Sequence, residues 1–188
     1  MKDHTESQQL VFVVQKHQAS TLHYDFRLEI GGVMPSWAIP KGPTLDSSVK
    51  RLAIPTVDHA LDYRHFEGML PQGQEGAGPV MIWDEDTYTP QRERDHGIRE
   101  EMTERTEADA VMRQGLQEGK LTFRLCGKKL HGSFALIRIR GSGRKVSWLL
   151  IKQQDAYVQQ GYDANDDDVS AVSGRSLAQI AAEPSISP

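Results

Sequence analysis

Residues 22–39 read LHYDFRLEIGGVMPSWAI. Apolar side chains fill every second position from Leu22 through Tyr24, Phe26 and Leu28 to Ile30, and His23, Asp25, Arg27 and Glu29 stand between them. Strict alternation marks a strand with one packed and one polar face. Gly31-Gly32 supplies a turn, and the returning VMPSWAI completes a hairpin signal. Outward from this hairpin the pattern recurs. LVFVV (10–14), RLAIPTV (51–57), GPVMIWD (78–84), KLTFRL (120–125), GSFALIRIR (132–140) and SWLLIK (147–152) are short, rich in β-formers and punctuated by Gly and Pro. About eight such strands predict a mainly β chain, a barrel or sandwich. Pro55 predicts an edge or a bend in its strand.

Two helices interrupt the strands. Thr106 with Asp109 predicts a capping box opening EADAVMRQGLQEG, with Gly119 as the stop, and Ser176 with Gln179 opens LAQIAAE. Residues 1–10 read as a flexible segment, 11–160 as the domain, and 161–188 as an acidic loop, a short helix and a tail or linker. The length of 188 residues suits one domain. No apolar run reaches the ~18 residues of a membrane span. A single cysteine, Cys126, excludes an internal disulfide framework and a Cys-rich zinc site, and fits a cytoplasmic protein. GQEGAG (73–78) lacks the Gly-Lys-Ser/Thr of a P-loop and reads as a turn.

The net charge of −4 conceals an uneven distribution. Residues 120–152 hold nine basic side chains and no acidic one, whereas 84–119 sum to −6 and 153–188 to −5. The basic stretch reads either as a solvated strand face or as a surface that follows phosphates, with Lys128, Lys129, Arg138, Arg140, Arg144 and Lys145 as DNA-contacting residues.

The polar face of the 22–30 strand carries the chemistry. His23 and Asp25 lie two residues apart on one face, ~6–7 Å between Cα atoms, close enough to share a cation. Adding His17 gives two imidazoles and a carboxylate, a set that suits Mn²⁺, Fe²⁺ or Zn²⁺. Arg27 is one step further along the same face. His59 and Tyr63, four apart in DHALDY, can be aimed at one site by a helical turn or tight loop, and Lys41 and Arg51 offer further positive charge.

These residues resemble a known family. FVVQKHQASTLHYDFRLEIGGVMPSWAIPKGP, DHALDYRHFEG, GAGPVMIWDEDTY, KLHGSFALIRI and WLLIKQQDAY are similar to the 3′-phosphoesterase domain of bacterial DNA ligase D and its stand-alone relatives, over about residues 11–160. The resemblance implies a compact β-barrel with a polar cavity on one side. It implies a Mn²⁺-dependent enzyme, with Zn²⁺ or Co²⁺ as other metals, that removes a 3′-terminal ribonucleoside and a 3′-phosphate from DNA ends. Carried over by position, His17, His23 and Asp25 are metal ligands; Arg27 and His59 hold the phosphate with Tyr63 in support; Lys41 and Arg51 are secondary phosphate contacts; and Gln15 stands behind the ligands. The implied partners are DNA 3′ ends, ligase or polymerase modules and a Ku-type end-binding protein, met by a monomer near the nucleoid and not at a membrane. Two features depart from the family. Val57 stands where an acidic residue often precedes the histidine by two, and no Arg-Asp pair precedes the first strand; both bear on ribonucleoside removal. Two other readings stay open at this level: a non-haem Fe²⁺ oxygenase on a β-barrel, and a DNA-end-binding module without catalysis.

Overall fold

The computed structural model describes residues 9–140, 143 and 145–183. Residues 1–8 of the N-terminal segment, Arg144 and residues 184–188 of the tail lie outside the described residues. Ten strands occur among the described residues: β1 (Leu10–Gln18), β2 (Leu22–Leu28), β3 (Val33–Ile39), β4 (Lys50–Ala60), β5 (Gly68–Leu70), β6 (Gly78–Glu93), β7 (Arg99–Glu101), β8 (Lys120–Cys126), β9 (His131–Arg140) and β10 (Val146–Lys152). Two helices accompany them, α1 (Arg105–Glu118) and α2 (Leu177–Ala182). The sheet runs β1-β2-β3-β4-β10-β9-β8-β6, and β1 pairs with β6 to close eight antiparallel strands into a barrel. The described residues include no helix long and apolar enough to cross a membrane.

The alternating strands put their apolar sides inward. Phe12, Phe26, Trp37, Phe123, Phe134 and Trp148 fill the barrel. Phe26 stacks on Phe123 at 6.0 Å, and Trp37 meets Trp148 edge-on at 5.6 Å. A second, smaller apolar cluster of Val13, Met34 and Ile82, joined by Leu61, belongs to the opposite face of the same strands. The polar side chains of β1 and β2 share that outer face.

The expected strands all occur, several of them longer than predicted. The 78–84 segment continues to Glu93 because β6 changes partner along its length, from β5 to β1, β8 and β7 in turn. Each half of β4 has one partner, and Pro55 stands in the half that lacks β10, as expected of an edge. Its residues 50–53 pair with β10, whereas 54–60 pair with β3, so Pro55 lies beyond the stretch that bonds β10 and its missing N–H costs nothing there.

Both predicted helices form, but α1 starts differently from expectation. Glu104, not Thr106, is its cap, accepting the backbone N–H groups of Thr106 and Glu107 at 3.0 and 2.8 Å. A carboxylate can accept both donors and also complements the positive end of the helix. Gly119 ends α1 in the left-handed conformation, φ 85°, and Ser176 with Gln179 forms the predicted capping box of α2. Residues 161–183 return onto the barrel: Trp83 Nε1 donates to the Asp167 carbonyl at 2.7 Å, and the nearly buried Lys16 pairs with Asp168 at 2.6 Å.

Candidate active site on the outer barrel wall

Pairing between β1 and β2 sets His17 directly opposite His23, Gln15 opposite Asp25 and Val13 opposite Arg27. Because partners across a ladder share a face, the three ligand candidates come together without any long-range accident. Their donor atoms lie within 4.8 Å of one another, the one such group of His, Cys, Asp or Glu among the described residues. The imidazole rings of His17 and His23 are 5.0 Å apart.

The hydrogen bonds outside this group aim both rings inward. His17 Nε2 lies 2.6 Å from the Gly76 carbonyl, and His23 Nδ1 lies 3.2 Å from the Thr21 carbonyl. A carbonyl only accepts, so each of these nitrogens carries a proton, and the other nitrogen of each ring, once deprotonated, presents a lone pair. Those lone pairs face Asp25: His17 Nδ1 is 3.8 Å and His23 Nε2 3.2 Å from its Oδ2. Two imidazole lone pairs and a carboxylate converging on one spot, each ring braced from behind, are a donor set that fits a divalent cation. The glycine-rich turn read as a simple connector thus braces His17. Gly76 has φ +79°, and a Cβ on it would stand 3.5 Å from the His17 ring.

Arg27 is 4% exposed and held on every side. Its Nε donates to Gln15 Oε1 at 2.7 Å, its Nη1 lies 3.1 Å from His59 Nδ1, which is itself 2.9 Å from the Val57 carbonyl, and its Nη2 lies 3.5 Å from Asp25 Oδ2. The guanidinium carbon stands 5.1 Å over the Tyr63 ring, whose centroid is 4.7 Å from that of His59. Gln15, fully buried, donates its amide N–H groups to the carbonyls of Tyr63 and Phe66, both at 3.0 Å. One amide therefore ties Arg27 to the turn that carries Tyr63.

His59 reaches the site through a bulge. Thr56 pairs with Ser36, but His59 pairs with Met34, so β4 holds one more residue than β3 between these rungs. Without the extra residue, His59, three positions after the outward-facing Thr56, would point into the barrel. The bulge returns it to the outer face. The 3₁₀ turn Leu61–His65 then presents Tyr63.

The electrostatics follow from this packing. Burial alone would raise the Asp25 carboxyl, but the two imidazoles and Arg27 more than reverse that and hold it well below the ordinary carboxylate range. Asp25 in turn draws a proton toward His23 and raises its pKa. Burial and the neighbouring Arg27 lower His59. Burial raises the Tyr63 phenol, which keeps its proton.

The remaining predicted residues form no hydrogen bond or ion pair with this cluster. Lys41 is exposed in the turn after β3 and forms no hydrogen bond or ion pair with it. Ile54 shares the face of Asp25 through Ala38, so Arg51, three positions away, falls on the opposite side of β4. The basic stretch disperses. Lys120 pairs with Glu93, Arg124 with Glu101, Lys128 with Glu85, Lys129 with Asp167 and Lys152 with Asp155. Cys126 is half-buried at the end of β8, 2.8 Å from Arg124 Nη1.

Known proteins are similar to this chain. A family model described as the DNA Ligase D 3′-phosphoesterase domain matches residues 15–138. A "Multifunctional non-homologous end joining protein LigD" of Pseudomonas aeruginosa is 47% identical over 146 residues, covering 78% of this chain and 15% of that protein. A "Multifunctional non-homologous end joining DNA repair protein LigD" of Mycobacterium tuberculosis is 41% identical over 147 residues, covering 78% and 17%. The counterpart in Mycolicibacterium smegmatis is 35% identical over 144 residues. The chain thus spans 15% to 17% of the length of these relatives.

Proposed function

Because this chain belongs to the DNA ligase D 3′-phosphoesterase domain family, we propose that it is a Mn²⁺-dependent phosphoesterase that trims DNA 3′ ends. It removes a 3′-phosphate and a 3′-terminal ribonucleoside and leaves a 3′-OH for end joining. The observation that carries this reading is the contiguity of two charged devices: the His17–His23–Asp25 donor set, and an Arg27 whose Nη2 lies 3.5 Å from the same Asp25 carboxylate.

His17, His23 and Asp25 hold the cation, which when bound supplies Lewis-acid charge to phosphoryl oxygens. The protein's own groups do the rest. Gln15 occupies Arg27 Nε, so the two Nη groups are the ones left to turn toward an anion. His59 Nδ1 lies 2.9 Å from the Val57 carbonyl, which only accepts, so Nδ1 carries a proton and Nε2 is the nitrogen left to face the anion. Protonated His59 donates its Nε2–H to a phosphoryl oxygen beside the guanidinium. Tyr63, kept protonated, offers its hydroxyl to the same anion. Preformed donors around a developing negative charge are worth ~10²–10³ in rate each. A site ringed by Arg27, His59 and Tyr63 serves a phosphate better than oxygen activation.

The deciding experiment is Mn²⁺-dependent processing of primer–templates ending in a 3′-phosphate or a 3′-ribonucleotide, resolved on a gel. The expected result is conversion of both to a 3′-OH, lost in His23→Ala. Undiminished activity in a clean His23→Ala preparation would reject the metal assignment. The same reading puts the chain beside ligase or polymerase modules and a Ku-type protein, in the nucleoid; the printed role of the relatives in end joining supports it.

A further inference from the structure

Once the five ion-paired cations are set aside, three described cations of the basic stretch remain, and they are not scattered. Arg138, Arg140 and Lys145 line one open groove of about 430 Å³ between the end of α1 and the β9–β10 hairpin. Arg138 is anchored there, its guanidinium 5.7 Å over the Trp148 ring and donating to the Gln117 carbonyl at 3.2 Å. Arg140 and Lys145 are exposed and close no ion pair among the described residues. The one carboxylate in the groove, Glu118, accepts a hydrogen bond from Gln114 at 2.8 Å on its own helix. Residual positive charge is therefore concentrated at one rim of the barrel.

Strand register relates this rim to the candidate active site. Arg27 pairs with Ser36, and Ser36 with Thr56. β10 runs antiparallel to β4 and their pairing ends at Trp148 opposite Ala53, so the β9–β10 hairpin lies at the barrel end toward which residues 54–60 of β4 run. In the sheet order β10 follows β2 by three strands, so the groove stands part of the way round the barrel from Arg27. Arg138 lies opposite Trp148 and Arg140 opposite Val146, on the core-side register of the two strands, so they emerge at the open end of the barrel, where Lys145 joins them in the groove.

We propose that the Arg138–Arg140–Lys145 groove binds the phosphodiester backbone of the strand whose 3′ end occupies the Arg27 site. It meets that strand upstream of its 3′ end. This rests on the phosphoesterase reading for what sits at Arg27. Lys128 and Lys129 play no part in it, being engaged by Glu85 and Asp167.

This separation makes the inference testable by substrate length. The full chain carrying Arg140→Gln with Lys145→Gln is compared with wild type and with Lys128→Gln. The probes are a 3′-phosphorylated primer–template and a 3′-phosphorylated dinucleotide, which is too short to reach the groove. Anisotropy across a salt series measures duplex binding, and phosphate release with Mn²⁺ measures turnover on both. The double variant should flatten the slope of log K against log salt by about 1.8, ~0.9 for each lost contact. Lys128→Gln should leave it unaltered, and dinucleotide turnover should match wild type. An unchanged slope in the double variant overturns the proposal, and so does an equal loss on the dinucleotide. If wild type releases phosphate from neither probe, the phosphoesterase reading fails and the duplex slope alone decides the groove.

Discussion

Asp25 is the point at which the two halves of the site meet, since its one oxygen Oδ2 faces His17, His23 and Arg27. Asp25→Asn keeps the shape and removes the charge. It should weaken Mn²⁺ binding ~100-fold or more while the thermal melt stays cooperative, as read by calorimetric titration. Arg27→Ala should keep the metal and lose ~10²–10³ in turnover, because its guanidinium addresses the anion. The proton balance is also predictable. Asp25 raises His23, so Mn²⁺ and a proton compete there, and metal affinity should fall as the solution is acidified. Burial and Arg27 depress His59, so its ring should titrate below ~6.5 by NMR and move upward in Arg27→Gln. The sign for folding follows. A histidine that resists protonation when folded costs stability as pH falls from ~6.5 toward its lowered value, and contributes no pH dependence above that window.

At the scale of elements, the β4 bulge between Thr56 and His59 has the largest functional leverage. Deleting Val57 should restore simple alternation and turn His59 inward. Phosphate release should then drop by ~100-fold, while Mn²⁺ binding, which depends on β1 and β2, should persist. Retention of full activity would mean that His59 has no phosphate role. α2 offers a contrasting, purely structural test. Ser176→Ala removes the cap of a helix whose Ile180 is 1% exposed in the core, and should cost about 1 kcal/mol in a denaturant melt. The β2–β3 hairpin and the Ser176 cap were legible in advance because both are local: a two-residue turn and a four-residue box. The Glu104 cap was missed because Glu ranks low among cap residues and Thr106 with Asp109 offered a more familiar spelling. The bulge was invisible because it exists only relative to β3.

For the whole molecule, barrel closure distributes the charge. Residues from the acidic stretches 84–119 and 153–168 fold against the basic stretch 120–152 and neutralise five of its cations. Lys152 shows the consequence. Its buried ammonium reaches Asp155 at 2.7 Å and donates to the carbonyls of Ser133 and Gln153, and burial lowers its pKa. Lys152→Met should therefore destabilise the fold by ~3 kcal/mol, because Asp155 loses its charge partner. The salt slope of DNA binding should not change. A change in that slope without a loss of stability would place Lys152 on the DNA surface after all.

Strand period, turn chemistry and the polar face of β1–β2 are properties of neighbouring residues, so the sequence by itself determined the mainly β architecture and the His17–His23–Asp25–Arg27 row. A ladder carries the two strands' outward residues onto one face as soon as they pair, which is why the donor set was legible before any coordinates. What lies between distant segments was decided by tertiary structure alone. Gly76 braces His17, Gln15 locks Arg27 to the Tyr63 turn, the bulge turns His59 outward, and Arg51 faces away. Most of all, only the closed barrel decided which cations of a stretch of net +9 find carboxylates and which do not. Charge along a chain is additive, whereas the field at a surface depends on which opposite charges the fold brings within ion-pair distance.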